Sequence, residues 1–173
     1  MTCDMDIQNI YNSIAELSRE IVRECTARSV KISTAESCTG GMISGAVTSI
    51  SGSSAVIELG VCSYSNRIKH EILHVPAEVL EQFTEYSVEC AAEMAKGVME
   101  LSGADYGVST TGVAGPTGGS AEHPVGEVCI AVSRRNSCRS ERFLFAQGSA
   151  DREVIRALAA EKALSMLLCE IKK

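Results

Sequence analysis

Tryptophan is absent from this chain and aromatic residues make up only 4% of it, so it lacks the stacking platforms on which single-stranded nucleic acids are held. Charge argues the same way. With 22 acidic against 16 basic residues and a net charge of -6, there is no basic footprint for a phosphate backbone, and nucleic acid is not an expected partner. No apolar run reaches the roughly 18 residues that a membrane helix needs, and no charged-then-apolar leader is present. The expected setting is the cytoplasm, with no membrane partner. No GxxxxGK[ST] element occurs and Gly40 to Gly45 does not fit GxGxxG, so neither a P-loop nor a dinucleotide fingerprint is supported. The 8 cysteines include no CxxC pair, which removes the clustering of a metal framework or dense disulfide scaffold; no metal and no cofactor is expected. Cys3, Cys25, Cys62, Cys90, Cys129, Cys138 and Cys169 are expected as reduced thiols, mostly buried as small core residues. Cys38 is the exception, because a thiol at a helix start can have a lowered pKa.

What is present is an ordinary globular composition, 45% hydrophobic and 22% charged over 173 residues, enough for one domain spanning 1–173 that buries about 70% of its unfolded surface. Ile7, Ile10, Ile14, Leu17, Ile21 and Val22 recur at helical spacing from Asp6 to about Ala27. Val30 to Ser33 reads as a short strand leading into a turn, and Met42, Ile43, Ala46 and Val47 fall at helical spacing beyond it. A β-rich run from Ala55 to Tyr64 ends in polar residues, followed by short helical pieces from Arg67 to Leu73 and around Ala77 to Gln82. Ser87 is placed to cap a helix that reaches about Leu101, and Gly103 to end it. Tyr106 to Thr110 is a small-residue strand, Gly126 to Ser133 and Arg139 to Ala146 make a hairpin, and Asp151 opens a last helix to about Ile171. Helices alternating with strands, then a hairpin, give an α/β fold: a three-layer α/β/α sandwich with a mixed, largely parallel sheet.

Three polar, glycine-containing junctions follow apparent strands. They meet at one side of the sheet only if the strands that deliver them run the same way. If they do, Ser37, Lys69 and the loop from Thr111 to Ser120 supply a nucleophile, a base and backbone groups for an anion, a set suited to acyl transfer. Each part also has a plainer reading. Thr39 and the glycines can simply cap and turn the chain, Lys69 can be a solvated lysine, and the loop a connection. An unperturbed lysine has a pKa of about 10.4, so a base near neutral pH needs burial or positive neighbours to offset about 4–5 kcal/mol. Arg152 and Arg156, one helical turn apart, offer a fork for phosphate or a solvated face paired with Asp151 or Glu153.

Several segments together resemble the CinA C-terminal domain family, whose stand-alone members include nicotinamide-nucleotide amidases. They are Thr34-Ala35-Glu36-Ser37-Cys38-Thr39-Gly40-Gly41, Tyr64-Ser65-Asn66 with Lys69, Thr111-Gly112-Val113-Ala114-Gly115-Pro116, Pro124-Val125-Gly126 and Asp151-Arg152-Glu153-Val154-Ile155-Arg156. The match runs over about residues 8 to 171. The resemblance implies metal-independent hydrolysis of the carboxamide of nicotinamide mononucleotide to nicotinate mononucleotide and ammonia. It further implies Ser37 as nucleophile, Lys69 as base and Tyr64 assisting proton transfer. Cys38, Thr39, Gly40 and Gly41, with Thr111, Gly112, Ala114 and Gly115, would hold the oxyanion and parts of the nucleotide. Arg152, with Arg156 second, would take the phosphate. A homo-oligomer is implied on the same ground. This chain departs from the family pattern at Arg67, Ile68 and Thr117, which bears on the charge around Lys69 and the width of the loop. Two other readings stand beside this one: a non-catalytic nucleotide-binding or regulatory module connected with DNA uptake or damage, and an enzyme with Cys38 as nucleophile.

Overall fold

A computed structural model describes residues 7–145 and 151–173; Cys3, the start of the first helix at Asp6 and the end of the second hairpin strand at Ala146 lie outside them. Five strands, β1 (Ile32–Glu36), β2 (Ile57–Cys62), β3 (Tyr106–Gly112), β4 (Glu127–Arg134) and β5 (Ser137–Leu144), form one sheet in the order β2-β1-β3-β4-β5. β1 pairs in parallel with both β2 and β3, whereas β4 is antiparallel to β3 and to β5. Every strand but β4 therefore points the same way, and the sheet is mixed as expected.

Strand periodicity sorts the side chains between two helical layers. On one face lie α1 (Ile7–Arg28), α2 (Met42–Thr48) and α6 (Arg152–Ile171), with Ile32, Val108, Val128, Ile130 and Val132 from the sheet joining Ile14, Ile21, Ile155 and Leu164 in the larger core. Each fully buried Ile or Leu there contributes about 1.5–3 kcal/mol. On the other face lie α3 (Asn66–Leu73), α4 (Ala77–Phe83) and α5 (Val88–Ser102), where Ala35 packs with Leu73, Met94 and Val98, and Cys129 and Ala131 with Ala91 and Ala95. The caps are those the sequence offered. Ser87 Oγ accepts from Cys90 N at 3.0 Å, Gly103 ends α5 in the left-handed region, and Asp151 accepts from Glu153 N.

Two expectations need correction. β1 begins and ends later than Val30–Ser33, at Ile32–Glu36, because pairing on both sides outweighs the polar character of Ser33, Thr34 and Glu36. Among the described thiols Cys25, Cys38, Cys90 and Cys129 are buried, four of seven, and the other three depart from the expected burial. Cys62, Cys138 and Cys169 are exposed, for they fall on edge strands and the open side of α6.

One contact fixes where α3 sits. A Cβ on Gly97 would lie 1.9 Å from the carbonyl oxygen of Leu73, so the end of α3 rests directly on the backbone of α5. Gly97→Ala is expected to lose about 1–3 kcal/mol to overpacking, overriding the roughly 1 kcal/mol by which alanine favours a helix. Urea and thermal unfolding would show it, with Tm falling about 2–4 °C per kcal/mol; a more stable variant would contradict this packing.

Candidate active site

Because β1, β2 and β3 are parallel, the junctions that follow them emerge at one edge of the sheet. Short ladders extend past the strands: Ser63 N donates to Glu36 O at 2.8 Å, and Ser37 N to Thr110 O at 2.9 Å. The three junctions are thus stitched side by side.

The turn between β1 and α2 is built around a carboxylate. Glu36 is fully buried. Its Oε2 accepts from Thr39 Oγ1 (2.7 Å), Gly41 N (3.0 Å) and Ile43 N (3.0 Å), and its Oε1 from Ser44 N (2.9 Å) and Ser44 Oγ (3.0 Å). The open N–H groups of α2 are filled by the chain's own anion. Gly40 and Gly41, at φ 60° and 96°, take the left-handed conformation that lets the backbone fold back over Glu36. On the outside of the turn, Arg156 Nε donates to Cys38 O at 3.0 Å and Nη2 to Thr39 O at 2.7 Å. Thr39 itself is buried against Thr110.

Lys69 comes from the first turn of α3, which Ser65 caps by accepting from Ile68 N. Its side chain is only 1% exposed. Nζ donates to Ser37 Oγ at 3.2 Å and to Ser63 O at 3.1 Å. Burial drives the Lys69 pKa below its ordinary value, opposed by Cys90, Glu85 and Cys38. Burial likewise pushes the Cys90 and Cys38 thiols up to about 12, so at neutral pH they are uncharged, and of these three neighbours only the Glu85 carboxylate carries charge. The expected lowering of the Cys38 pKa is therefore corrected: Cys38 is buried, and desolvation outweighs the pull of its own and the Thr39 N–H and of Lys69.

A cavity of about 370 Å³ opens over this pair, and its walls include Ser37, Cys38, Tyr64, Lys69, Gly112, Ala114 and Arg152. Thr39, Gly40, Gly41, Thr111, Gly115 and Arg156 do not line it. Tyr64 is 65% exposed and its hydroxyl accepts from Arg152 Nη2 at 3.0 Å; Arg152 Nη1 donates to Gly115 O at 2.5 Å. Thr111 Oγ1 donates to Glu85 O at 2.5 Å.

Sequence reading missed Asn66, Glu85 and Tyr86 as cavity residues, and Glu36 as the carboxylate that organises the turn. For Glu85, burial raises the pKa, but its own backbone N–H, the side chains of Asn66 and Tyr86, and Lys69 together hold it below the ordinary carboxylate range. The only sequence signal for it was a polar pair immediately before the Ser87 cap. Among the described residues no group of three or more His, Cys, Asp or Glu side chains comes together as a metal site, and no helix is long and apolar enough to cross a membrane.

The two buried charges of this site should respond oppositely to neutralisation. Glu36→Gln leaves backbone donors facing an amide nitrogen and is expected to cost about 3 kcal/mol. Lys69→Met removes a poorly compensated ammonium and should raise stability at neutral pH. The folded-state pKa of Lys69 is depressed, so the unfolded chain binds the proton more tightly, and wild-type stability rises with pH between the lowered value and about 10.4. The advantage of Lys69→Met is therefore largest on the acid side of that window and shrinks as pH rises through it. Unfolding curves of the three proteins at several pH values test both signs.

Over residues 14–171 the chain matches the CinA C-terminal domain family. It is 45% identical over 160 residues to the nicotinamide-nucleotide amidohydrolase PncC of Enterobacter agglomerans, covering 91% of this chain and 95% of that one. A CinA-like protein of Geotalea daltonii is 46% identical over 140 residues, 81% of this chain. The chain spans only about a third of the length of that relative and of other CinA-like proteins. Among solved structures, the competence/damage inducible protein CihA from Agrobacterium tumefaciens superposes with a TM-score of 0.88 at 41% identity, covering 93% of this chain and 96% of that one. With the motifs in sequence order, the fold in common and the match running from the first helix to the last, this chain belongs to the CinA C-terminal domain family.

Proposed function

We propose that the protein hydrolyses the carboxamide of nicotinamide mononucleotide, releasing ammonia and nicotinate mononucleotide, with Ser37 as nucleophile and Lys69 as its base. The observation that carries this reading is the 3.2 Å contact between Lys69 Nζ and Ser37 Oγ, both buried at the floor of an open cavity. A binding module has no need of a desolvated lysine against a serine. The relative named as a nicotinamide-nucleotide amidohydrolase supplies the substrate class.

In the first half of the reaction neutral Lys69 takes the Ser37 proton as Oγ bonds to the carboxamide carbon. Cys38 and Ala114 line the cavity, and among the described residues their N–H groups donate to no main-chain oxygen; they suit the developing oxyanion. Collapse breaks the C–N bond, and Lys69 returns its proton to the departing nitrogen, which leaves as ammonia. In the second half water adds to the ester, Lys69 accepts the water proton, the C–Oγ bond breaks and Ser37 is reprotonated, leaving the carboxylate. Arg152, steadied by the Gly115 carbonyl, is the cation for the phosphate; once it turns to the phosphate, the Tyr64 hydroxyl is released to assist proton transfer. Arg156 acts behind the wall, holding the carbonyls of the turn.

Ammonia release from nicotinamide mononucleotide by the purified protein tests this, beside Ser37→Ala, Cys38→Ala and Lys69→Met. Ser37→Ala should abolish turnover, Lys69→Met lower kcat by about 10²–10⁴, and Cys38→Ala leave it within a few fold. For the wild type, kcat/KM should climb with pH to a plateau, its midpoint below the ordinary lysine range. A folded wild type that releases no ammonia moves the assignment to a binding module; loss of turnover with Cys38→Ala alone moves the nucleophile to the thiol.

A further inference from the structure

We propose that Glu85 determines substrate charge: it recognises the positively charged pyridinium ring of the nucleotide and discriminates against uncharged rings bearing the same carboxamide. The inference deepens the amidase reading and rests on it for the identity of the ligand.

Glu85 is half-buried on the wall of the same cavity as Ser37 and Lys69. It is fixed from behind, since its carbonyl accepts from Thr111 Oγ1 on β3 and its carboxylate from the side chains of Asn66 and Tyr86. Those donors keep it ionised. A fixed carboxylate beside Lys69 hinders the proposed chemistry in the free protein, because its charge favours the protonated amine and so opposes the effect of burial. Burial alone would serve a Ser-Lys pair better, so the carboxylate calls for a second cation. Arg152 is already directed to Gly115 O and Tyr64 Oη, on the wall formed by the β3 loop and α6. Besides Lys69, the cavity therefore presents one anionic and one cationic side chain, complementary to a ligand with a cationic ring and an anionic phosphate. Tyr86, adjacent to Glu85 and also on the wall, adds an aromatic face of the kind that receives cations. When the ring supplies the positive charge near Glu85, the carboxylate no longer favours a proton on Lys69, so binding the correct substrate also prepares the base.

The test compares nicotinamide mononucleotide with its two-electron-reduced dihydro form, which keeps the carboxamide, ribose and phosphate but has a neutral ring. Binding is measured by calorimetry in the Ser37→Ala background, where no turnover confuses the comparison. The expected result is at least about tenfold tighter binding of the oxidised form, a ratio that Glu85→Gln brings to near one by weakening the oxidised form alone. Glu85→Asp, which keeps the charge, should restore part of the ratio. Equal loss for both forms would mark Glu85 as a structural support for Asn66 and Tyr86 and overturn the proposal, as would an unchanged ratio or no binding of either form by the folded protein. Absence of ammonia release by the wild type, with the charge ratio intact, would instead overturn the amidase reading and leave the recognition standing.

Discussion

Five hydrogen bonds converge on the carboxylate of Glu36, a fully buried group, and the rest of the site is arranged around that satisfied charge. An ion without water is tolerable only when protein donors replace its hydration, and the backbone of the following turn provides them. To do so the chain must reverse within Thr39 to Gly41. That reversal sets Ser37 at the rim of the sheet and turns the carbonyls of Cys38 and Thr39 outward, where Arg156 collects them. The turn is consequently fixed by a negative charge inside it and a positive charge outside it. Neither needs to touch a ligand.

Lys69 is the counterexample within the same few ångströms. Its ammonium donates to one hydroxyl and one carbonyl, and no carboxylate forms an ion pair with it among the described residues. Glu36 accepts five hydrogen bonds, whereas Lys69 has surroundings that favour losing its charge. The scaffold holds both because they arrive from adjacent parallel strands, β1 delivering Glu36 and Ser37, and β2 delivering the Ser63 carbonyl and, through α3, Lys69 itself. Gly97 allows α3 to settle on α5 closely enough for the lysine to reach inward.

Much of this was legible in the chain. Helical spacing located α1, α5 and α6 to within a residue or two at the boundaries that are described, and the Ser87, Gly103 and Asp151 signals marked their ends. The sheet's layering followed from the alternation of elements. Strand β1 was less legible, since Ser33, Thr34 and Glu36 look like a polar approach to a turn and are strand residues only because neighbours pair on both sides. The union of Ser37 with Lys69 depended on strand direction, which no local pattern encodes. Arg152 and Arg156 illustrate the limit of spacing rules. One helical turn apart, they share a face, yet one serves the cavity wall and the other the turn behind it. Glu36 and Glu85 were missed as organisers because a lone acidic residue near a turn is ordinarily solvated.

The cross-links past the strand ends have a kinetic meaning as well. Ser37 N is held by Thr110 O and Ser63 N by Glu36 O, so two amides at the rim continue the ladders on either side of β1 rather than belonging to independent loops. Breaking either requires separating β1 from a neighbour, which costs more than local loop motion. Ser37, the proposed nucleophile, therefore has an amide expected to exchange slowly with solvent, whereas the exposed Tyr64 forms part of the outer wall; rigidity at the floor and adaptability at the mouth are supplied by different segments of one short chain.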